Sequence, residues 1–192
     1  AEPRVRAALP PVPPDGRVNM APDGESMRRS WRRVAHEVIE RNGPGCQVLC
    51  AGVPTRGVPL ARRLAELLLA LGAHADVIEL DVQAHRDDRS SHSEARQAAE
   101  PRPQVEGRVV VVVDDVLFHG RTVRAALDAL TELGRPAEVQ LAVMVDRGHR
   151  QLPIRADYVG KNIPTRLSER VRVCLEEVDG QDGVLVLEAA DA

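Results

Sequence analysis

No apolar run in this chain of 192 residues approaches the ~20 residues that a membrane-spanning helix needs, and its first residues carry no hydrophobic signal core. A cytosolic protein with no membrane partner is expected. Cysteine is scarce: Cys46, Cys50 and Cys174 are an odd number, and the C-x-x-x-C spacing of the first two fits no metal or redox pattern. Three reduced core thiols are expected instead. Lysine is almost missing, because of 26 basic residues only Lys161 is lysine, which leaves 25 arginines. A GC-rich genome explains that bias most simply, and Lys161 is then either a remnant of codon drift or a place where a compact charge outperforms a planar fork. Aromatics number three, one each of Trp, Tyr and Phe. An excess of positive charge is also absent: the net charge of -3 argues against indiscriminate nucleic-acid binding, so RNA recognition would need a local basic patch. There is no internal repeat, no nucleophilic triad, and no ligand spacing around His74 or His92.

What is present is one α/β domain. A chain of this length that is 43% hydrophobic can bury a single core. Residues 1–25 are rich in proline and show no repeating apolar face, so a mobile extension is expected there. A helix over Ser26 to Asn42 is stopped by Asn42-Gly43-Pro44-Gly45. Strand Cys46 to Val53, a Thr55-Arg56-Gly57 turn, helix Val58 to Leu71 and strand Asp76 to Asp81 follow. Residues 85–107 are polar, aperiodic and too long for a passive connection, which predicts a flexible arm. Strand Arg108 to Val113, helix Gly120 to Leu133 and strand Val139 to Val145 continue the alternation of a parallel sheet, and short strands are expected at Val171 to Glu176 and Val184 to Glu188.

The densest chemistry lies in Val109 to Ala126, VVVVVDDVLFHGRTVRAA. Five valines suit a strand covered on both faces, and ligands of open α/β sheets bind beyond the carboxyl ends of such strands. Asp114 and Asp115 could accept hydrogen bonds from vicinal sugar hydroxyls. Gly120, Thr122 and the amides opening the next helix could hold a phosphate. Taken alone, the same run also reads as an ordinary strand and turn whose Asp pair caps the helix.

The segment resembles the phosphoribosyl pyrophosphate (PRPP) loop of type I phosphoribosyltransferases, and most of all that of the pyrimidine-operon attenuation regulators that double as uracil phosphoribosyltransferases. Four further stretches carry the resemblance: SMRRSWRRVAHEVIERN from Ser26, GVPTRGVPLA from Gly52, HRDD from His85, and VDRGHRQLPIRADYVGKNIPT from Val145. The last speaks against a purine transferase. The resemblance implies a type I phosphoribosyltransferase fold for residues 26–192, a mostly parallel sheet flanked by helices, with an arm at about 85–107 and a small hood at about 146–192 joined by the N-terminal part.

It also implies roles. Thr55, Arg56 and Gly57 would turn main-chain amides toward the pyrophosphate of PRPP, and Arg86 on the arm would close over the leaving group. Asp114 and Asp115 would be catalytic and, with Val116, Leu117, Phe118, His119, Gly120, Arg121 and Thr122, would bind PRPP or UMP. Mg2+ would arrive with PRPP and bridge to Asp114 and Asp115. Val159, Gly160 and Asn162 would read uracil, partly through main-chain groups. His119 stands where the family has Thr, while His85 and Arg89 replace family Tyr and Leu on the arm, so weaker activity is expected. The regulators bind a hairpin in pyrimidine-operon leader mRNA when UMP or UTP is present. The matching RNA contacts are His36, Arg150, Arg155 and Lys161, with Arg32 adding charge where the family usually has Thr and bases stacking on arginine planes in place of aromatics. Arg150 and Arg155 could instead brace the hood, and His36 alone reads as a packed helix side chain. A homodimer or higher homo-oligomer is implied. The rival reading is a uracil salvage enzyme with no RNA regulation.

Overall fold

The computed structural model describes residues 18–82 and 105–188. Arg86 and most of the expected arm lie outside the described residues.

Apolar runs build the main sheet. Strands β2 (Gln47–Gly52), β3 (His74–Glu79), β4 (Val109–Leu117), β5 (Glu138–Asp146) and β6 (Tyr158–Asn162) are all parallel, in the order β3-β2-β4-β5-β6. Within β4, Val110 and Val112 enter one core cluster and Val111 and Val113 the other, each with no solvent exposure, because alternate side chains face opposite sides of a strand. Helices α1 (Gly24–Asn42) and α2 (Gly57–Ala70) cover the Val111 and Val113 face through Trp31, Val34, Leu60 and Leu64. Helix α3 (Arg121–Leu133) covers the other through Val123, Ala126 and Leu130. The chain leaves β2 toward one edge of the sheet and β4 toward the other, so the order reverses between these two neighbours. A crevice opens at such a reversal, beyond the strands' carboxyl ends.

A second sheet of three antiparallel strands, β1 (Val18–Asp23), β8 (Gly183–Leu187) and β7 (Arg170–Cys174), forms the hood with the short helix α4 (Glu176–Asp179). Two expectations are corrected here. Residues 18–23 form a strand paired with β8, because β8 offers the apolar partner that the proline-rich segment lacks by itself. Asp23 then caps α1, its carboxylate accepting the Ser26 N–H at 2.8 Å. Likewise Tyr158–Asn162, assigned by sequence to the hood, is the edge strand of the main sheet. The three thiols are free, with Cys50 and Cys174 buried but Cys46 half-buried at the entrance to β2. Burial pushes the Cys50 thiol up to about 12, which keeps it protonated and unreactive.

Candidate active site

Two loops leave the sheet side by side at the reversal. The first follows β2. Val53 N–H donates to the Val113 carbonyl at 2.9 Å, the Pro54–Thr55 peptide is cis, and Gly57 opens α2. A Cβ on Gly57 would stand 2.3 Å from the Val113 carbonyl oxygen, so only glycine lets this turn lie against β4. Thr55 is exposed and caps nothing. Arg56 takes the N-cap place without a side-chain cap bond and turns its guanidinium to the hood, where Nε and Nη2 reach Asp179 at 3.2 and 2.8 Å.

The second loop follows β4, which runs through the two aspartates. Asp114 is buried at 6% exposure, and its Oδ1 accepts the Asp115 N–H at 2.9 Å; Asp115 Oδ1 accepts the Val116 N–H at 2.8 Å. Burial pushes the Asp115 carboxyl up, while the bonds from Asp114 and Val116 and the nearby charge of Arg56 pull it back. Gly120 then adopts φ 93°, a left-handed turn that ordinary residues avoid, and α3 begins without a side-chain cap. Amides at its first turn are therefore available to an anion. Asp114 and residues 116–123 line a cavity of about 180 Å³. Whole-ligand pockets start near ~300 Å³, so this one suits the phosphate end of a ligand. A larger cavity of about 430 Å³ opens between α1, α2 and α4, but its Arg63 is already bonded to Glu177 and Asp182, which leaves that charge no ligand to meet.

The stretch after β5 fixes the phosphate loop from behind. Arg150 donates through Nη1 to the carbonyls of Phe118 and Gly148 at 3.0 and 3.1 Å, through Nε to Ile154 at 2.9 Å, and pairs with Asp146. That geometry is a brace, the alternative reading of Arg150, rather than an open nucleic-acid contact. Gln151 and Leu152 N–H groups both donate to the His119 carbonyl at 3.1 Å. The His119 ring stacks on Phe118 at 3.6 Å, and Arg147 lies 4.0 Å over the other partner of that stack, the Phe118 ring. Arg147 is only 5% exposed, and burial lowers its pKa; Thr165 Oγ1 and the Arg166 carbonyl each accept from it at 2.9 Å. Sequence reasoning missed Arg147, whose place beside a loop aromatic no spacing reveals. Arg121 reaches out to Gln151 and Thr122 is half-buried in the cavity wall.

The expected base-reading residues are not brought together in the same manner. Val159 and Gly160 lie within β6, and their carbonyls both accept from Arg33 Nη2 at 2.9 Å. Each of those oxygens accepts one bond from α1. Asn162 is exposed at the carboxyl end of β6, opposite Asp146. On the outer side, Arg32 and His36 are exposed one turn apart on α1, which packs against β6, the strand that carries Lys161. Arg155 is exposed just before that strand. Among the described residues none of these four side chains is held in an ion pair or hydrogen bond.

Residues 23–175 match the phosphoribosyl transferase domain. The chain is similar to the bifunctional protein PyrR of Pelotomaculum thermopropionicum, 50% identical over 172 residues that cover 88% of this chain and 95% of that one. It is 53% identical to the bifunctional protein PyrR of Streptomyces coelicolor over 167 residues, 85% and 86% of the two chains. Among solved structures, a hypoxanthine phosphoribosyltransferase from Trypanosoma cruzi superposes with a TM-score of 0.65 at 20% identity, covering 88% and 94%. At that identity the likeness carries the fold alone.

Proposed function

The chain belongs to the phosphoribosyl transferase domain family and, within it, to the bifunctional PyrR proteins, and from that membership we propose that it transfers ribose 5-phosphate from PRPP to uracil and binds pyrimidine-operon leader mRNA when UMP or UTP is present. The observation that carries the first activity is the pairing of two glycine-dependent loops at one sheet reversal, each beside the Asp114–Asp115 strand end.

In this reading the 5-phosphate sits in the small cavity on the amides of Gly120 to Thr122, with the His119 side chain in the cavity wall. Asp115 accepts from a ribose hydroxyl. Its ionisation is opposed by burial and favoured by the bonds with Asp114 and Val116 and by the charge of Arg56, so the arginine that faces the pyrophosphate also favours the charged form of the sugar-binding carboxylate. Pyrophosphate departs toward the Thr55–Gly57 turn and Arg56, where negative charge accumulates as the glycosidic carbon loses its leaving oxygen. Held together by these two loops, the reactants need little further activation, and no general base is required. The donor set suits Mg2+ carried by substrate: Asp114 and Asp115 are hard oxygen donors, but no group of three or more candidate ligands occurs among the described residues, so the ion would draw most of its oxygens from PRPP and water. Bound there, Mg2+ would neutralise the leaving group. Val159, Gly160 and Asn162 on β6 read uracil, partly through main-chain groups.

Arg32, His36, Arg155 and Lys161 form the RNA-facing patch, with Arg150 supporting it from within. Basic groups on one face attract a phosphate backbone even when the whole chain is mildly acidic. The chain acts in the cytoplasm as a homodimer or larger homo-oligomer. The test is binding of the native pyrimidine leader transcript with and without UMP, beside PRPP-dependent UMP formation from the same preparation. UMP-enhanced binding that survives nonspecific competitor, together with UMP formation, is expected. Catalysis without specific RNA binding would make this a salvage enzyme, and absence of UMP formation would overturn the enzymatic half.

A further inference from the structure

Asp179, at the end of α4, is a carboxylate that the reading above leaves without work. Its side chain is 3% exposed, yet four donors converge on it. Arg56 supplies Nε and Nη2 at 3.2 and 2.8 Å, Arg172 of β7 supplies Nη2 at 2.8 Å, and the Leu175 N–H donates at 3.0 Å. Burial alone would raise its pKa, but the bonds from Arg56, Leu175 and Arg172 prevail and hold the carboxyl below the usual carboxylate range. A carboxylate gripped by Arg56 through two nitrogens fixes the plane of the guanidinium as well as its position. Arg56 also feels the charge of Asp115. The Arg56 guanidinium is thus held in one orientation by a hood carboxylate.

We propose that Asp179 is a positioning residue for the pyrophosphate half of the site: it keeps the Arg56 guanidinium oriented beside the Thr55–Gly57 turn. The hood thereby takes part in binding the leaving group through a residue that never touches it. The inference rests on the phosphoribosyl-transfer reading, since it takes this turn to be where pyrophosphate lies.

The experiment compares wild type, Asp179→Asn, Asp179→Glu, Arg56→Ala and the Arg56→Ala/Asp179→Asn pair, by calorimetric titration with inorganic pyrophosphate and by steady-state kinetics. Asp179→Asn should weaken pyrophosphate binding and raise KM for PRPP about tenfold, the scale of one charged hydrogen bond, while KM for uracil stays unchanged. Asp179→Glu should recover part of the loss, and Asp179→Asn should add nothing once Arg56 is alanine. A strut without a positioning role would lower the melting temperature while leaving pyrophosphate affinity and the ratio of the two KM values as they were, and that result overturns the proposal. Should Asp179→Asn not fold, Arg56→Lys removes the fork from the other side; the same rise in KM for PRPP is expected, and an unchanged value overturns it. Wild type that binds pyrophosphate but makes no UMP would sink the activity while the affinities still judge Asp179. Wild type that makes UMP, with pyrophosphate affinity indifferent to Asp179→Asn, would sink this proposal alone. No pyrophosphate binding by wild type would sink both.

Discussion

The main sheet and the hood of this molecule are secured by different forces. Strands β2, β4 and β5 are packed by valine, leucine and alanine with almost no solvent exposure on either face. The hood shares part of that core through Val173, Leu175 and Val184, but its attachment to α2 and the loops is ionic, Arg63 to Glu177 and Asp182 and Arg56 to Asp179, while Arg172 ties β7 to the same Asp179 within the hood. Apolar packing has no proton to gain, whereas each of these three carboxyls is held below its ordinary pKa by its arginine bonds, against the opposing pull of burial. The sheet therefore supplies a scaffold indifferent to pH, and the hood a cover whose grip is titratable.

The largest effect should come from the apolar side. Leu64→Ala, in a residue with no exposure packed between α2 and the sheet, is expected to destabilise by about 2–5 kcal/mol in urea unfolding, equally at pH 7 and pH 4. A strongly pH-dependent penalty would break the distinction. Arg63→Met should cost about 1–3 kcal/mol at pH 7, because it leaves the nearly buried Asp182 without its guanidinium. A carboxyl with a depressed folded pKa stabilises above its unfolded value near ~4 and loses that contribution as pH falls through the folded pKa. The Arg63→Met deficit should therefore shrink below about pH 4, and hydrogen exchange should show β7 and β8 opening there before β4. Simultaneous opening of both sheets would refute separate control. The smallest effect should lie at the sheet's edge: Lys161→Ala should lower the salt slope of leader-RNA binding by about one and leave UMP formation intact, as one lost phosphate contact would. Equal loss of both activities would mean that the patch and the site are not separate.

The same division decided what could be read from sequence. Runs such as VVVVV and QLAVMV announce buried parallel strands, and the aspartate and glycine turns after β2 and β4 announce the two loops, because local patterning and site chemistry coincide there. Strand β1, VNMAPD, has neither an apolar run nor alternation and exists because β8 pairs with it. Strand β6, YVGKN, is five residues interrupted by glycine, lysine and asparagine, so its place beside β5 comes from tertiary pairing. The tie between Arg56 and Asp179 joins residues 123 apart and leaves no periodic trace. Arg150 was open to two readings for a related reason: a basic residue in a loop looks the same whether it faces solvent or the Phe118 carbonyl.

Arg33 joins α1 to β6 by holding the carbonyls of Val159 and Gly160. Arg32 and His36 flank it on the helix, and Lys161 follows its second acceptor on the strand. In the proposed RNA reading, that bond would set the two halves of the basic patch in register before any RNA arrives and leave little conformational entropy to be lost. A chain in which that guanidinium is replaced would keep every charge that faces the RNA and still bind it more weakly, since the template would have to be assembled anew at each encounter.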